Sequence, residues 1–421
     1  MSLLFRKAKA NYQKYLDHFL FYSSSAFDRL INLFDRKARI WSGENQLNQI
    51  LFVTEDPRID ILRFYSALKE SFRGEVRVMI PHTKLDGLFL TAGFKEVIFF
   101  RNHWDFRNKL NQLKNIDIVH GFTRRCYVIE ILLKEYQVPV VISVKDTSVA
   151  SFGLEPPRWY LRKEIPSEKY SFENVDGILA ESLEVNYAYR LFQSKKKPKR
   201  IYFPNLCEDA KIIPVDKNKT EGAIHLVYVG AVRGSQDSKA DHGNIQMHWL
   251  IESLNKQKIH FHIYPNPSLA RPIYEEYFKM SEELPFFHMH ESVSPEKMNK
   301  EIAQYHFGLI PFFNEDTQRS PLKRYYSSSL KIFNYLESGL PTIISKDMGH
   351  QRWILERYGL AIGVTKSNFH DLKSVLNNYN YPNLVDNLET KRNQFRLNIQ
   401  MQRVLSFYKQ IIKTKVADYN E

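Results

Sequence analysis

Short runs of β-branched and aromatic residues recur along this chain with helical stretches between them, and that alternation limits the fold more than any other feature. Residues 47–54 (LNQILFVT) read as a strand, 61–72 as a helix and 75–80 (EVRVMI) as a second strand. A strand that reaches its neighbour through a helix lies parallel to it, so the pattern predicts a doubly wound α/β sheet. Further strands are expected at 96–100, 116–121, 139–144 and 175–182. A second series follows at 224–229, 260–264, 286–290, 307–312, 340–344 and 361–364. Two such series in 421 residues exceed one ordinary core and predict two Rossmann-like domains, at 46–205 and 223–383. Residues 206–222 are polar and aperiodic, as a linker would be, and 150–172 read as an irregular loop. The stretch 384–415 reads as one long basic helix that returns to the first domain.

Composition narrows the class. Hydrophobic residues make up 43% and aromatic residues 14%, as in a globular chain. Cys126 and Cys207 fall in different domains, which supplies neither a disulfide framework nor zinc spacing and fits a reducing compartment. No apolar run reaches the ~18 residues of a membrane span. The first residues carry Asp17 and broken apolar runs, unlike a signal peptide, so a cytoplasmic protein is expected. The net charge of +13 admits nucleic acid, an anionic membrane or a phosphorylated substrate. Helix-turn-helix spacing and aromatic RNA-binding patterns are missing, so nucleic acid is not expected. Residues 1–45 form a basic helical extension with Leu16, Phe19, Leu20, Phe27, Leu30, Ile31 and Phe34 at helical spacing. It suits the inner face of a membrane as a peripheral contact, or packing as a helical hairpin.

Residues 321–345 (PLKRYYSSSLKIFNYLESGLPTIIS) hold the densest signal. A serine run, Ser327-Ser328-Ser329, feeds a helix over 330–338 with Leu330, Phe333 and Leu336 on one face. Gly339 ends it, as a residue free to adopt positive φ, and a buried strand follows. Backbone N–H groups near Ser329 and Leu330, with Lys331 in the first turn, suit a diphosphate, and Asn334 suits a sugar or ribose hydroxyl. The alternative is an ordinary serine-capped helix. Upstream, the strand at 224–229 runs into Gly230-Ala231-Val232-Arg233-Gly234, where a glycine permits close backbone approach. His260-Phe261-His262 and His288-Met289-His290 alternate along strands without a third ligand, so no metal is expected. No Ser-His-Asp or Cys-His hydrolase signature is present.

The stretch ending in Gly339-Leu340-Pro341 resembles the donor-site segment of GT-B glycosyltransferases of the retaining, nucleotide-sugar-dependent type. The resemblance covers about 48–412 and is strongest over 224–345. It implies two domains facing a cleft, a nucleotide-diphospho-sugar on the second and an acceptor on the first, with a C-terminal crossover helix. Arg233 and Lys239 match the family's diphosphate-binding cations, which stabilise the leaving group without a metal. The family's two glutamates fall here on Tyr326 and Asn334, with Glu337 three places away, so Gly230, Arg233, Lys239, Ser329, Leu330, Lys331, Asn334 and Glu337 form the donor set. Asp56-Pro57-Arg58 resembles the family's acceptor-side opening, and Asp117 and His120 its Asp-x-x-His segment. Lys145-Asp146 ends a strand that in relatives ends in histidine. His120 and Lys145 are thus the candidate catalytic residues, and Asp56, Arg58 and Asp146 the candidate acceptor contacts. The expected activity is sugar transfer to a glycan or lipid-linked acceptor in cell-surface polysaccharide synthesis. A GT-B protein that binds sugar nucleotide or glycan without turnover is the alternative.

Overall fold

The computed structural model describes residues 38–123, 125–156, 161–204, 206–216, 222–235, 246–267, 269–314 and 321–420. Residues 1–37 of the expected extension, and Lys239, lie outside them. The chain divides into two compact units. One comprises residues 1–181, 185–203 and 401–421, and the other residues 182–184 and 204–400.

In unit 1 the strands are β1 (Ala38–Arg39), β2 (Gln49–Val53), β3 (Glu75–Pro81), β4 (Glu96–Phe100), β5 (Ile118–Thr123), β6 (Tyr136–Gln137), β7 (Val140–Val144), β8 (Gly177–Ala180) and β9 (Lys199–Tyr202). Seven form one parallel sheet in the order β4-β3-β2-β5-β7-β8-β9, and β1 pairs with β6 apart from it. Apolar residues point to both faces, as a sheet covered by helices on both sides requires. Unit 2 has β10 (His225–Gly230), β11 (His260–Pro265), β12 (Phe287–Met289), β13 (Phe307–Ile310), β14 (Thr342–Ser345) and β15 (Ala361–Val364). They form a second parallel sheet in the order β12-β11-β10-β13-β14-β15. In each sheet the strand order reverses once, between β2 and β5 and between β10 and β13. The carboxyl ends of those strands are where a doubly wound sheet holds ligands.

Three segments differ from expectation. Residues 150–172 are largely helical, with helices Ser148–Phe152 and Leu161–Asn174. Glu168 caps the first by accepting from the Ser148 and Val149 N–H groups at 2.7 and 2.9 Å. That long-range cap is not readable from local composition. The 206–216 part of the expected linker packs within unit 2: Cys207 bridges Arg396, and Glu337 accepts the Glu208 N–H at 2.7 Å. A single bridge leaves no periodic pattern. The C-terminal stretch is two helices, Tyr381–Lys391 and Leu397–Asn420, broken by a 3₁₀ turn at Arg392–Phe395.

The last helix docks on unit 1 from Met401 onward. Phe407 fills the space that Gly177 leaves, where a Cβ would lie 2.7 Å from Phe407 Cζ. Lys415 pairs with Asp176 at 2.7 Å. Tyr408 OH lies 2.5 Å from His120 Nδ1, and His120 Nε2 lies 2.9 Å from Ser143 Oγ. Both ring nitrogens are therefore engaged inside the core. The Tyr408→Phe substitution leaves one of them without a partner and is expected to cost about 1–3 kcal/mol in urea denaturation. A loss under about 0.5 kcal/mol would contradict this account of how the helix is held.

In unit 2 five histidines meet on one face of the sheet edge, brought together by the register His225↔His260 and His262↔His288. His225 Nδ1 and His262 Nε2 are 2.9 Å apart, His262 Nδ1 and His290 Nε2 3.0 Å, and His260 Nδ1 and His288 Nε2 2.8 Å. A neutral imidazole carries one donor and one acceptor, so such a chain is satisfied head to tail only while uncharged. Tyr264, Tyr305, Glu301 and His306 flank it around a cavity of about 650 Å³. Burial, and then the neighbouring imidazoles, lower the His225 pKa to about 4 and the His262 pKa further. Above pH ~6.5 these rings are neutral folded or unfolded. Below it the unfolded chain takes up protons that the folded one refuses, so stability falls with pH. Between pH 6.5 and 5 a buried imidazole such as His262 is expected to cost about 2 kcal/mol. Urea midpoints at pH 7.5 and 5.0 should lie closer together in His262→Gln than in wild type. An equal acid loss in the variant would contradict the assignment.

Candidate functional site

The helix Lys331–Glu337 is bolted across the switch point of unit 2 by Tyr335. Its hydroxyl accepts from the Val229 N–H at 3.3 Å and donates to the Leu309 carbonyl at 3.0 Å, so it ties β10 to β13. The Tyr335 ring occupies the place of a side chain at Gly308, where a Cβ would lie 2.2 Å from it. This fixes where the helix begins. Lys331, its first residue, lies over the end of β10. Gly230 there has φ +142°, and a Cβ on it would lie 2.7 Å from Lys331 Cε and 3.0 Å from Nζ. Lys331 Nζ sits 5.3 Å from the centroids of both the Tyr228 and Phe312 rings. The aromatic faces hold the ammonium at the strand ends.

The loop after Gly230 is pinned from below. Tyr228 OH donates to the Ala231 carbonyl at 3.0 Å, and Tyr277 OH to the Arg233 carbonyl at 2.8 Å. Glu276 accepts the Ser235 N–H at 2.6 Å and lies 2.5 Å from His248 Nε2. The Arg233 backbone is thereby set on the same loop as Gly230.

The serine run does not cap the helix. Leu330 is the N-terminal flanking residue, with helical φ and ψ and no side-chain cap. Ser329 Oγ accepts from Lys331 N–H at 3.3 Å, and Ser328 Oγ is buried without a partner. The Ser327 carbonyl accepts from Gln351 Nε2 at 3.3 Å. Gly339 has the positive φ expected of it, +72°. Asn334 is half-buried one turn beyond Lys331. Glu337 is placed differently. It is fully buried, and its carboxylate takes the Glu208 N–H and Asn299 Nδ2 at 2.7 and 2.8 Å, which anchors residues 208–213 rather than facing a ligand. Gly230 and Lys331 thus meet at the end of β10, with Ser329 and Leu330 directly before Lys331 and Arg233 on the loop after Gly230.

In unit 1, Asp56 and Arg58 follow β2, Lys145 and Asp146 follow β7, and Glu181 follows β8. Arg58 Nε lies 3.2 Å from Asp60 Oδ1 and Lys145 Nζ 3.8 Å from Asp60 Oδ2, so one carboxylate faces both cations. Asp146 is exposed. Burial, and then the charge of Asp60, push the Glu181 carboxyl up to about 7, against the pull of Lys145 and Arg58. Glu181 and Asp60 were not apparent as site residues in the sequence, although Glu181 follows its strand as Lys145 follows its own.

His120 stands apart from this group. The strand expected to end near it runs on to Thr123, which leaves His120 in mid-strand. It is wholly buried among Phe52, Phe64 and Phe122, and burial lowers its pKa to about 3. A neutral imidazole held by Ser143 and Tyr408 supports the core and reaches no substrate. Asp117 of the same segment accepts from the Asn48 and Gln49 N–H groups at 2.6 and 2.8 Å and fixes the start of β2. Among the described residues no three of His, Cys, Asp or Glu are arranged to hold a metal ion, and no helix is long and apolar enough to cross a membrane.

Residues 243–406 match the family model of the glucosyltransferase 3-like C-terminal domain. No curated protein sequence matches the chain. Its structure is similar to that of a glycosyltransferase from Rickettsia africae, at 11% identity and TM-score 0.60 over 87% of this chain and 99% of that one. It is also similar to the pneumococcal O-GlcNAc transferase GtfA in complex with UDP and GlcNAc, at 9% identity and TM-score 0.53, covering 87% and 99%. A UDP-GlcNAc 2-epimerase from Neisseria meningitidis bound to UDP-GlcNAc follows at 13% identity and TM-score 0.52, covering 86% and 99%. The two parallel sheets, their strand orders and these similarities give the chain the GT-B fold of glycosyltransferases.

Proposed function

We propose that the chain is a glycosyltransferase that moves a sugar from a nucleotide-diphospho-sugar to a glycan or lipid-linked acceptor, in cell-surface polysaccharide synthesis. The observation that carries this reading is the Lys331 ammonium held over the Cα of Gly230 at the switch point of unit 2. The family match over 243–406 and the UDP bound in the GtfA complex support it. Gly230 lets the donor diphosphate approach the backbone. Lys331, Arg233 and Lys239 offset its charge, Ser329 and the Leu330 amide bond its oxygens, and Asn334 meets a ribose or sugar hydroxyl. As the bond from the anomeric carbon to the diphosphate oxygen breaks, its electron pair leaves with the nucleotide. These cations stabilise that charge, so a metal is not required. The acceptor oxygen forms the new bond and its proton passes to the departing phosphate, which retains the anomeric configuration. Asp56, Arg58, Lys145 and Asp146 of unit 1 hold the acceptor. The basic residues of the N-terminal extension place the protein on an anionic cytoplasmic membrane surface.

One observation favours a second reading. Tyr326 and Asn334 stand where the family carries glutamates, as in a protein that binds sugar nucleotide without turnover. Release of nucleotide diphosphate from a matched sugar nucleotide separates the two.

The test is a thermal-shift panel of UDP, GDP, ADP and their sugar conjugates. A ligand that binds only the folded state raises the melting temperature, by about 2.7 kcal/mol of stabilisation at a hundred times Kd. One diphosphate is expected to shift wild type by a few degrees. Lys331→Ala, Gly230→Ala and Arg233→Ala with Lys239→Ala are each expected to weaken it about ten-fold or more. Equal shifts in all variants, or none with any nucleotide, would remove the donor site.

A further inference from the structure

We propose that Arg58 and Glu181 form a subsite in unit 1 for an uncharged sugar hydroxyl, the guanidinium donating to its oxygen and the carboxylate accepting its O–H. This rests on the glycosyltransferase reading above and specifies its acceptor. Glu181 Oε2 and Arg58 Nη2 are buried without a hydrogen-bond partner, Arg58 Nε faces Asp60 Oδ1, and the Glu181 residue is only 8% exposed. A buried donor and a buried acceptor on one electrostatic cluster each go without a hydrogen bond until a ligand meets them. A hydroxyl meets both at once because it donates and accepts.

The surrounding charges choose among ligands. Among the described residues, Arg58 and Lys145 are the cations of the cluster, and Asp56, Asp60 and Asp146 stand with them beside Glu181. Asp60 already faces both cations, at 3.2 and 3.8 Å. A phosphate entering here would meet more carboxylates than cations. A neutral polyol meets donors and acceptors in alternation and pays no charge repulsion. The backbone holds the pair in place. Arg58 is the flanking residue of the helix Ile59–Ser71, and the Glu181 N–H donates to the Val144 carbonyl at 3.0 Å. Because the Glu181 carboxyl is held near neutral pKa by burial and Asp60, the subsite gains its full acceptor strength as pH rises from 6 to 8.

Saturation-transfer NMR on the full chain tests this, with methyl α-glucoside and methyl β-N-acetylglucosaminide as probes and inorganic phosphate followed by ³¹P line width. Transfer to ring protons of a glycoside is expected in wild type and should fall about ten-fold in Arg58→Ala and in Glu181→Ala. It should rise between pH 6 and 8 in wild type and stay flat in the isosteric Glu181→Gln, whose melting curve controls for folding. Transfer unchanged in these variants, no transfer to either glycoside, or phosphate broadening abolished by Arg58→Ala would each overturn the subsite. The UDP thermal shift on the same samples keeps the two proposals apart. With that shift intact, a silent glycoside sinks the subsite alone, whereas a lost shift counts against the transferase reading.

Discussion

The contact between Lys331 and the backbone of Gly230 sets what the second unit can do. Any residue other than glycine would place a Cβ within 2.7 Å of the lysine side chain, in a φ region that side chains avoid. The lysine is held there by two aromatic faces, and its helix by Tyr335, which needs the empty space of Gly308. Two glycines and one tyrosine thus deliver one cation to the carboxyl ends of β10 and β13. Parallel strands expose their unpaired ends and loops there, which is why the doubly wound sheet keeps its ligand site at that edge.

Much of this was legible in the sequence, because parallel sheets are buried on both faces and so leave apolar runs of strand length. The alternation of those runs with helices gives both sheets, and Gly339 marks the end of the helix Lys331–Glu337. Long-range contacts left no such trace. Glu337 looks like a surface residue near a ligand until the chain around Glu208 folds over it. His120 looks like a strand-end histidine until the strand continues to Thr123 and Tyr408, far along the chain, closes on it. The histidine ladder is visible only when β10, β11 and β12 are set in register, since each strand alone shows an unremarkable pair or a single ring.

Unit 1 shows how burial and charge divide the work among polar residues. Burial holds His120 neutral and partnered, and leaves Glu181 with an unpartnered oxygen. The first is a core group that secures the C-terminal helix. The second stands at a strand end beside Arg58, Asp60 and Lys145, where one carboxylate faces two cations. Only a ligand that brings both a donor and an acceptor completes that arrangement without unbalancing it.

The most direct measurement is hydrogen exchange of the full chain with and without UDP. The account predicts slowed exchange concentrated at residues 229–235 and 327–335, the strand end and helix start that meet at Gly230 and Lys331. Protection confined to the histidine-lined cavity of β10, β11 and β12, or to unit 1 alone, would contradict the donor site.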